Sequence, residues 1–185
     1  MIMDITEIDH LPKPLYVLVA GGIAVGKTHV IKKSIHTLDI MDIDDVMEEL
    51  GHQEYNDENY REAMDIISSR FDVKMANKES LIAMGTAANF PFTVERLYNA
   101  KQAGYQTCLL YITAGRQQAM DQNRLRRQQR KRALTVEEEY KIIHTGELAK
   151  TNVHFLKDTI LVDYFCHFDN DISKEEFCDL HPEYR

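Results

Sequence analysis

Eight consecutive residues, Gly21-Gly22-Ile23-Ala24-Val25-Gly26-Lys27-Thr28, carry the most specific chemistry in this 185-residue chain. They follow the phosphate-binding pattern of glycine, four residues, then Gly-Lys-Ser/Thr. The glycines let the backbone curl so that successive N–H groups point inward at an anion. A helix that begins at the end of such a loop aims its positive pole at the same anion. Residues 21–28 are therefore the expected nucleotide-binding loop. Lys27 would reach the β- and γ-phosphates, and the Thr28 hydroxyl would ligate Mg²⁺.

Two further clusters stand out. Asp39, Asp42, Asp44 and Asp45 lie within seven residues of one another. Asp44 is placed at the carboxyl end of a short strand, where ligands bind in open α/β sheets; Asp44 or Asp45 could equally cap the helix that follows. The second cluster is Arg124, Arg126, Arg127, Arg130, Lys131 and Arg132, with no acid among them. On a helix Arg124, Arg127 and Lys131 share one face, and Arg126 and Arg130 another. Guanidinium groups at this density suit phosphate, on a nucleotide or on a polynucleotide. His29, His144 and His167 have no metal-ligand spacing with a nearby acid and read as structural or solvated.

The elements that must position these groups follow from periodicity. Residues 1–14 read as a lead-in, with Pro12 and Pro14 stopping regular structure. Leu15-Tyr-Val-Leu-Val-Ala is a buried strand, and a helix follows over about 26–37. The pattern then predicts a short strand over 39–43, a helix from 45, and a long helix over 56–75 capped by Asn56 or Asp57. Further strands are expected at 80–84, 107–113 and 159–165. Helices are expected over about 92–103, 115–130 and 135–156, the last opened by a Thr135–Glu138 capping box. A second such box, Ser173 to Glu176, would open a C-terminal helix. Strands alternating with helices imply an α/β fold with a mainly parallel five-stranded sheet between two helical layers.

Composition adds limits. Hydrophobic residues make up 44% and charged residues 28%, as expected of one folded domain spanning 1–185. The net charge is −8, and since the basic cluster offsets part of it the rest of the chain is more acidic still. That balance argues against broad nonspecific coating of nucleic acid. The start of the chain lacks the basic and apolar segments of a signal peptide, and no long apolar run suggests a membrane span. Cys108, Cys166 and Cys178 show no paired spacing and read as reduced thiols, which fits a cytoplasmic location.

Over about 15–170 the chain resembles the small P-loop kinases often found in phages, related to polynucleotide kinases and zeta-toxin-like kinases. The resemblance rests on residues 21–28, on Asp42-Ile43-Asp44-Asp45, on Gly85-Thr86, on Lys101-Gln102-Ala103-Gly104-Tyr105, and on the arginine-rich stretch. It implies a sheet order of 2-3-1-4-5, ATP with Mg²⁺ as phosphoryl donor, and a lid at about 115–135. For a phage-encoded chain the location would be the host cytoplasm. By resemblance Asp44 is the base that takes the acceptor hydroxyl's proton. Lys27, Arg124 and Arg127 complete the catalytic set, and Asp42, Thr86 and Arg130 bind substrate. Asn170, after the last strand, is the expected contact to the nucleotide base. Phage kinases that phosphorylate 5-hydroxymethyluracil in DNA are similar in size and loop layout, which makes that base the specific expectation for the acceptor.

The sequence departs from that family in two places. The third strand ends in Met84 where such kinases usually carry a metal-holding aspartate, and Gln122 stands where an arginine is common. Met84 keeps open a nucleotide-binding protein without catalysis. Nucleoside monophosphate kinases and zeta-toxin-like sugar-nucleotide kinases remain alternatives for the acceptor. A guanine-specific switch would need Asn-Lys-x-Asp, and the nearest stretch, Asn77-Lys78-Glu79-Ser80, lacks the aspartate.

Overall fold

The computed structural model describes residues 2–52, 56–128 and 134–170. Strand β2 (Leu15–Ala20) is its axis, and every residue of it is buried. Leu15, Val17 and Val19 point into one apolar cluster; Tyr16, Leu18 and Ala20 point into a second on the opposite face. A strand covered on both faces cannot alternate polar with apolar, which is why this stretch reads as a continuous apolar run.

Around β2 the chain builds β1 (Ile2–Met3), α1 (Lys27–Ser34), β3 (Asp39–Met41), α2 (Ile43–Glu49), α3 (Asp57–Ala76) and β4 (Leu81–Ala83). It continues through α4 (Phe90–Gln102), β5 (Gln106–Thr113), α5 (Arg116–Gln128), α6 (Tyr140–Leu156) and β6 (Tyr164–Asp169). The sheet order is β1-β6-β5-β2-β4-β3, and all the pairs are parallel. Counted without β1, this is the order 2-3-1-4-5, with helices flanking the sheet. None of the described helices is long and apolar enough to cross a membrane.

Several boundaries differ from the sequence reading for identifiable reasons. The lead-in is structured. Asp4 accepts from the Thr6 N–H at 2.9 Å while Glu7 accepts from the Asp4 N–H at 3.0 Å, a capping box for a 3₁₀ helix over Ile5–His10. Ile5 and Ile8 are buried, and Asp9 accepts from the His36 and Thr37 amides beyond α1. The last strand starts later than 159, because the Thr159 hydroxyl donates to the Leu156 carbonyl and turns the chain, leaving Ile160 91% exposed. Helix α6 starts at Tyr140, although Thr135 does pair with Glu138: the Thr135 N–H donates to Glu138 Oε2 at 3.2 Å and holds a turn ahead of the helix. The capping box at Ser173 lies outside the described residues.

Helix α6 is the brace of the site. It runs from one face of the sheet to the other, with Ile142 in the first cluster and Val153 and Leu156 in the second. The buried Asn152 donates to the Ala87 carbonyl at 2.7 Å and to the Ala88 carbonyl at 3.1 Å. That bond holds Ala87 in a left-handed conformation, φ 58°, in the loop after β4. Removing a buried donor leaves two carbonyls short of a partner, at about 1–3 kcal/mol. Asn152→Ala is therefore expected to lower unfolding stability by about that amount in a urea titration. An unchanged midpoint would show that the brace carries no weight.

Candidate functional site

The phosphate-binding loop leaves β2 and enters α1, as the sequence predicts. Its form is fixed by contacts from outside the motif. The Gly21 N–H donates to the Thr86 carbonyl at 3.1 Å, which joins the loop to the segment after β4. The Ile23 N–H donates to the Thr145 hydroxyl of α6 at 3.3 Å. Helix α6 passes so close that a Cβ on Gly22 would lie 3.1 Å from the Gly146 Cα, so a side chain at position 22 would press on the helix. Ala24 is held at φ 61°, a conformation that costs energy in a residue other than glycine and recurs at functional loops. Gly26 caps α1 at φ 81°.

The Lys27 ammonium donates to the Gly21 carbonyl at 3.1 Å and to the Gly22 carbonyl at 2.7 Å. Burial pushes its pKa down from 10.5 to about 8; Asp42 opposes that shift, Arg126 adds to it and Asp44 opposes it. Thus one basic and two acidic side chains from α5 and the β3–α2 corner are felt at this one ammonium.

Asp42 is the second centre. It is 7% exposed and directly follows β3. One oxygen accepts from the Thr28 hydroxyl at 3.2 Å, and the other caps α2 by accepting from the Asp44 N–H at 3.0 Å. Burial, with repulsion from Asp44 and Asp45, holds its carboxyl above the usual carboxylate range. The cap position thus belongs to Asp42, while Asp44 sits in the first turn of α2. Met84, where a metal-holding aspartate is common, packs against the core. Among the described residues no three His, Cys, Asp or Glu side chains gather as a metal cage. Mg²⁺ ordinarily takes one or two protein ligands and fills the rest with phosphate oxygens and water. Thr28 with Asp42 fits that donor set.

Helix α5 sorts the arginines. Arg127 donates to Glu139 Oε1 at 2.7 Å and to the Leu134 carbonyl at 2.9 Å. Arg124 pairs with Asp121 at 3.2 Å and with Glu139 at 3.8 Å. The buried Asn123 exchanges two hydrogen bonds with the Leu134 backbone. Arg124 and Arg127, the two expected at the phosphates, are thus paired at the approach to α6, and among the described arginines Arg126 is the one felt at Lys27. Arg130, Lys131 and Arg132 lie outside the described residues. The Thr86 hydroxyl accepts from the Ala88 N–H at 3.2 Å, which leaves its own proton to offer. Asn170, expected at the base, donates instead to the loop carbonyl of Val25 at 3.0 Å.

On the β5 side of the loop lies a cavity of about 210 Å³, reached by Gly22, Val25, Tyr111, Arg116, Glu147 and Lys150. The Tyr111 ring stacks on His167 with centroids 5.2 Å apart. The residues that sequence reasoning missed here, Thr145, Glu139 and Asn152, belong to α6 or its approach, and no local pattern ties them to the loop.

No family model and no curated protein matches the chain. Solved structures do. A chain from the PezAT chromosomal toxin–antitoxin system of Streptococcus pneumoniae superposes with a TM-score of 0.64 at 15% identity, over 86% of this chain and 69% of that one. A chain from Chloroflexus aurantiacus, whose own kinase assignment is provisional, gives 0.60 at 14%, over 94% and 100%. The AvrRxo1-ORF1:ORF2 complex with ATP gives 0.56 at 14%, over 83% and 53%. At these identities the likeness shows the fold alone, a parallel sheet of order 2-3-1-4-5 flanked by helices.

Two outcomes follow. Asn caps a helix as well as Asp and carries no charge to bury. Asp42→Asn should therefore keep or raise the melting temperature at neutral pH, where the buried carboxylate is a cost, while weakening the Mg²⁺ dependence of nucleotide binding by about tenfold or more. A drop in stability without a change in Mg²⁺ dependence would make Asp42 a cap alone. The second concerns Lys27. A polyphosphate favours the protonated amine, so affinity should be flat below about pH 8 and fall by up to about tenfold per pH unit above it. Calorimetry across that range checks it, and Lys27→Ala should abolish the slope.

Proposed function

We propose that this chain is an ATP- and Mg²⁺-dependent phosphotransferase that moves the γ-phosphate to an alcohol on a nucleotide or nucleic acid, with 5-hydroxymethyluracil in DNA as the specific acceptor. The observation that carries the reading is the Thr28 hydroxyl's bond to Asp42 beside the Lys27 ammonium held on the loop carbonyls, with Asp42, Asp44 and Arg126 all near enough to act on the Lys27 charge. A switch or a passive binder needs the loop; an acceptor-directed transferase needs in addition a carboxylate for the incoming hydroxyl and cations for the transferring group.

In this reading Lys27 exchanges the Gly21 and Gly22 carbonyls for β- and γ-phosphate oxygens, and N–H groups of the loop hold the rest of the chain of phosphates. Thr28 and Asp42 would hold Mg²⁺, which would supply charge neutralisation at the phosphates. Asp44 accepts the proton of the acceptor hydroxyl as its oxygen bonds to the γ-phosphorus. The bond from that phosphorus to the β–γ bridging oxygen breaks, and ADP leaves. Arg126 faces the charge spread over the transferring oxygens. Arg124 and Arg127 would first have to leave Glu139, so we assign them to fixing α5 against α6 rather than to the phosphates. The Thr86 hydroxyl and the Tyr111 cavity are the groups available to orient the acceptor.

One observation favours a second reading. Met84 removes the usual metal-holding aspartate, as a nucleotide-binding module without turnover would allow. The Thr28–Asp42 pair argues against it by supplying a carboxylate from the neighbouring strand.

Radiolabelled γ-phosphate offered with 5-hydroxymethyluracil DNA, 5′-hydroxyl oligonucleotides, nucleoside monophosphates and sugar nucleotides tests the whole proposal. Label is expected on the hydroxymethylated DNA. Lys27→Ala should abolish transfer, and Asp44→Asn should lower turnover by about 10²-fold or more while sparing ATP binding. Label on a sugar nucleotide alone would sink the DNA acceptor; tight ATP binding with no transfer to any acceptor would sink the transferase.

A further inference from the structure

We propose that Asn170 is a positioning residue for phosphate binding: its side-chain amide sets the orientation of the Val25–Gly26 peptide, and thereby aims the Gly26 N–H at the polyphosphate. The proposal rests on the phosphate-binding part of the reading above and not on transfer.

The argument starts from the peptide plane. In a trans peptide the C=O and the following N–H point in opposite directions. Asn170 Nδ2 donates to the Val25 carbonyl at 3.0 Å from outside the loop, so that carbonyl is turned outward. The N–H of Gly26, on the other side of the same plane, is turned into the concave face where an anion is gathered. The neighbouring Gly22–Ile23 plane is set in the opposite sense. Its carbonyl accepts from Lys27 and its N–H donates to Thr145. Several peptide planes of the loop are thus turned by a named partner, and for the 25–26 plane the partner is Asn170.

Asn170 is itself held on two further sides. Its N–H donates to the Thr113 carbonyl at 2.7 Å, extending the β5–β6 pairing by one bond. Its carbonyl accepts from Gln118 of α5 at 2.7 Å. The backbone from which the side-chain amide reaches the loop is therefore fixed on both sides. It also occupies the space beside Gly26: a Cβ there would lie 2.6 Å from Asn170 Nδ2 and 3.6 Å from Gln122 Oε1. Position 26 is restricted to glycine twice over, by φ 81° and by this side chain. Through Gln118 the same residue joins the loop to α5, the helix that carries Arg126.

The test uses the full chain and Mg²⁺ with inorganic tripolyphosphate, so that it does not depend on any acceptor. Asn170→Asp keeps the shape but replaces the donor with an acceptor facing the Val25 carbonyl. It should weaken tripolyphosphate binding by about tenfold or more, as loss of one oriented hydrogen bond does. Asn170→Ala should weaken it by a similar or smaller factor, with a smaller change in melting temperature than in affinity. Gly26→Ala should be harmful in the native background and at least about threefold less so beside Asn170→Gly, since one of its two obstacles is gone. Wild-type affinity in Asn170→Asp, or a fall in melting temperature with unchanged affinity, would overturn the proposal, as would strict additivity of the two substitutions in the Gly26 cycle. Loss of transfer activity with these binding results intact would count against the proposed reaction and leave Asn170's role standing.

Discussion

A half-buried lysine ammonium held against two backbone carbonyls is the constraint on which this structure turns. Burial pulls the Lys27 proton affinity down to about 8, and burial pushes that of Asp42 up. Each group is held against its charged state, in opposite senses, within one motif and the strand corner beside it. Under the proposed function, polyphosphate with Mg²⁺ would supply the charge each of them lacks: anionic oxygens for the amine and a divalent cation for the carboxylate. In that reading the electrostatics of the site match the ligand before it arrives, which is the sense in which the loop would be preorganised.

Holding such an arrangement needs rigid surroundings, because a flexible loop would turn its amides to water instead. The stiffness comes from three sides. The buried strand β2 fixes where the loop starts. The Thr86 carbonyl and, behind it, Asn152 fix the neighbouring segment. Asn170 and Thr145 fix individual peptide planes. Non-glycine residues in left-handed conformations occur in both loops, at Ala24 and Ala87, and the dense bonding around them is what lets that strain persist. The same economy explains the arginines. Helix α5 must be anchored to α6 if Arg126 is to face the loop. Glu139 and Leu134 take Arg124 and Arg127 for that purpose.

Asp42, the carboxylate proposed to hold the metal, shows how a fold accommodates the absence of an expected residue. With Met84 packed in the core, the hydroxyl of Thr28 finds its acidic partner on β3 rather than at the end of β4. The two strands are neighbours in the sheet, and a side chain at the end of either lies on the same carboxyl edge.

What the residues determined by themselves was local. Residues 21–28 announce a phosphate loop because glycine placement and a Lys-Thr pair are read along the chain. The apolar run of β2 announces a doubly covered strand, and the alternation of strands with helices announces a parallel sheet. Asp4, Ile5, Glu7 and Ile8 held an equally local capping signal, legible but outweighed by the two prolines after it. The partners were decided only by the tertiary structure. Which aspartate meets Thr28, which arginine is felt at Lys27, and which amide turns the Val25–Gly26 plane depend on contacts between residues 14, about 100 and 145 positions apart. Helical periodicity offered two faces for the arginines but could not say that Glu139 would claim one of them. Spacing along a chain fixes which side chains share a face; only packing fixes what that face meets.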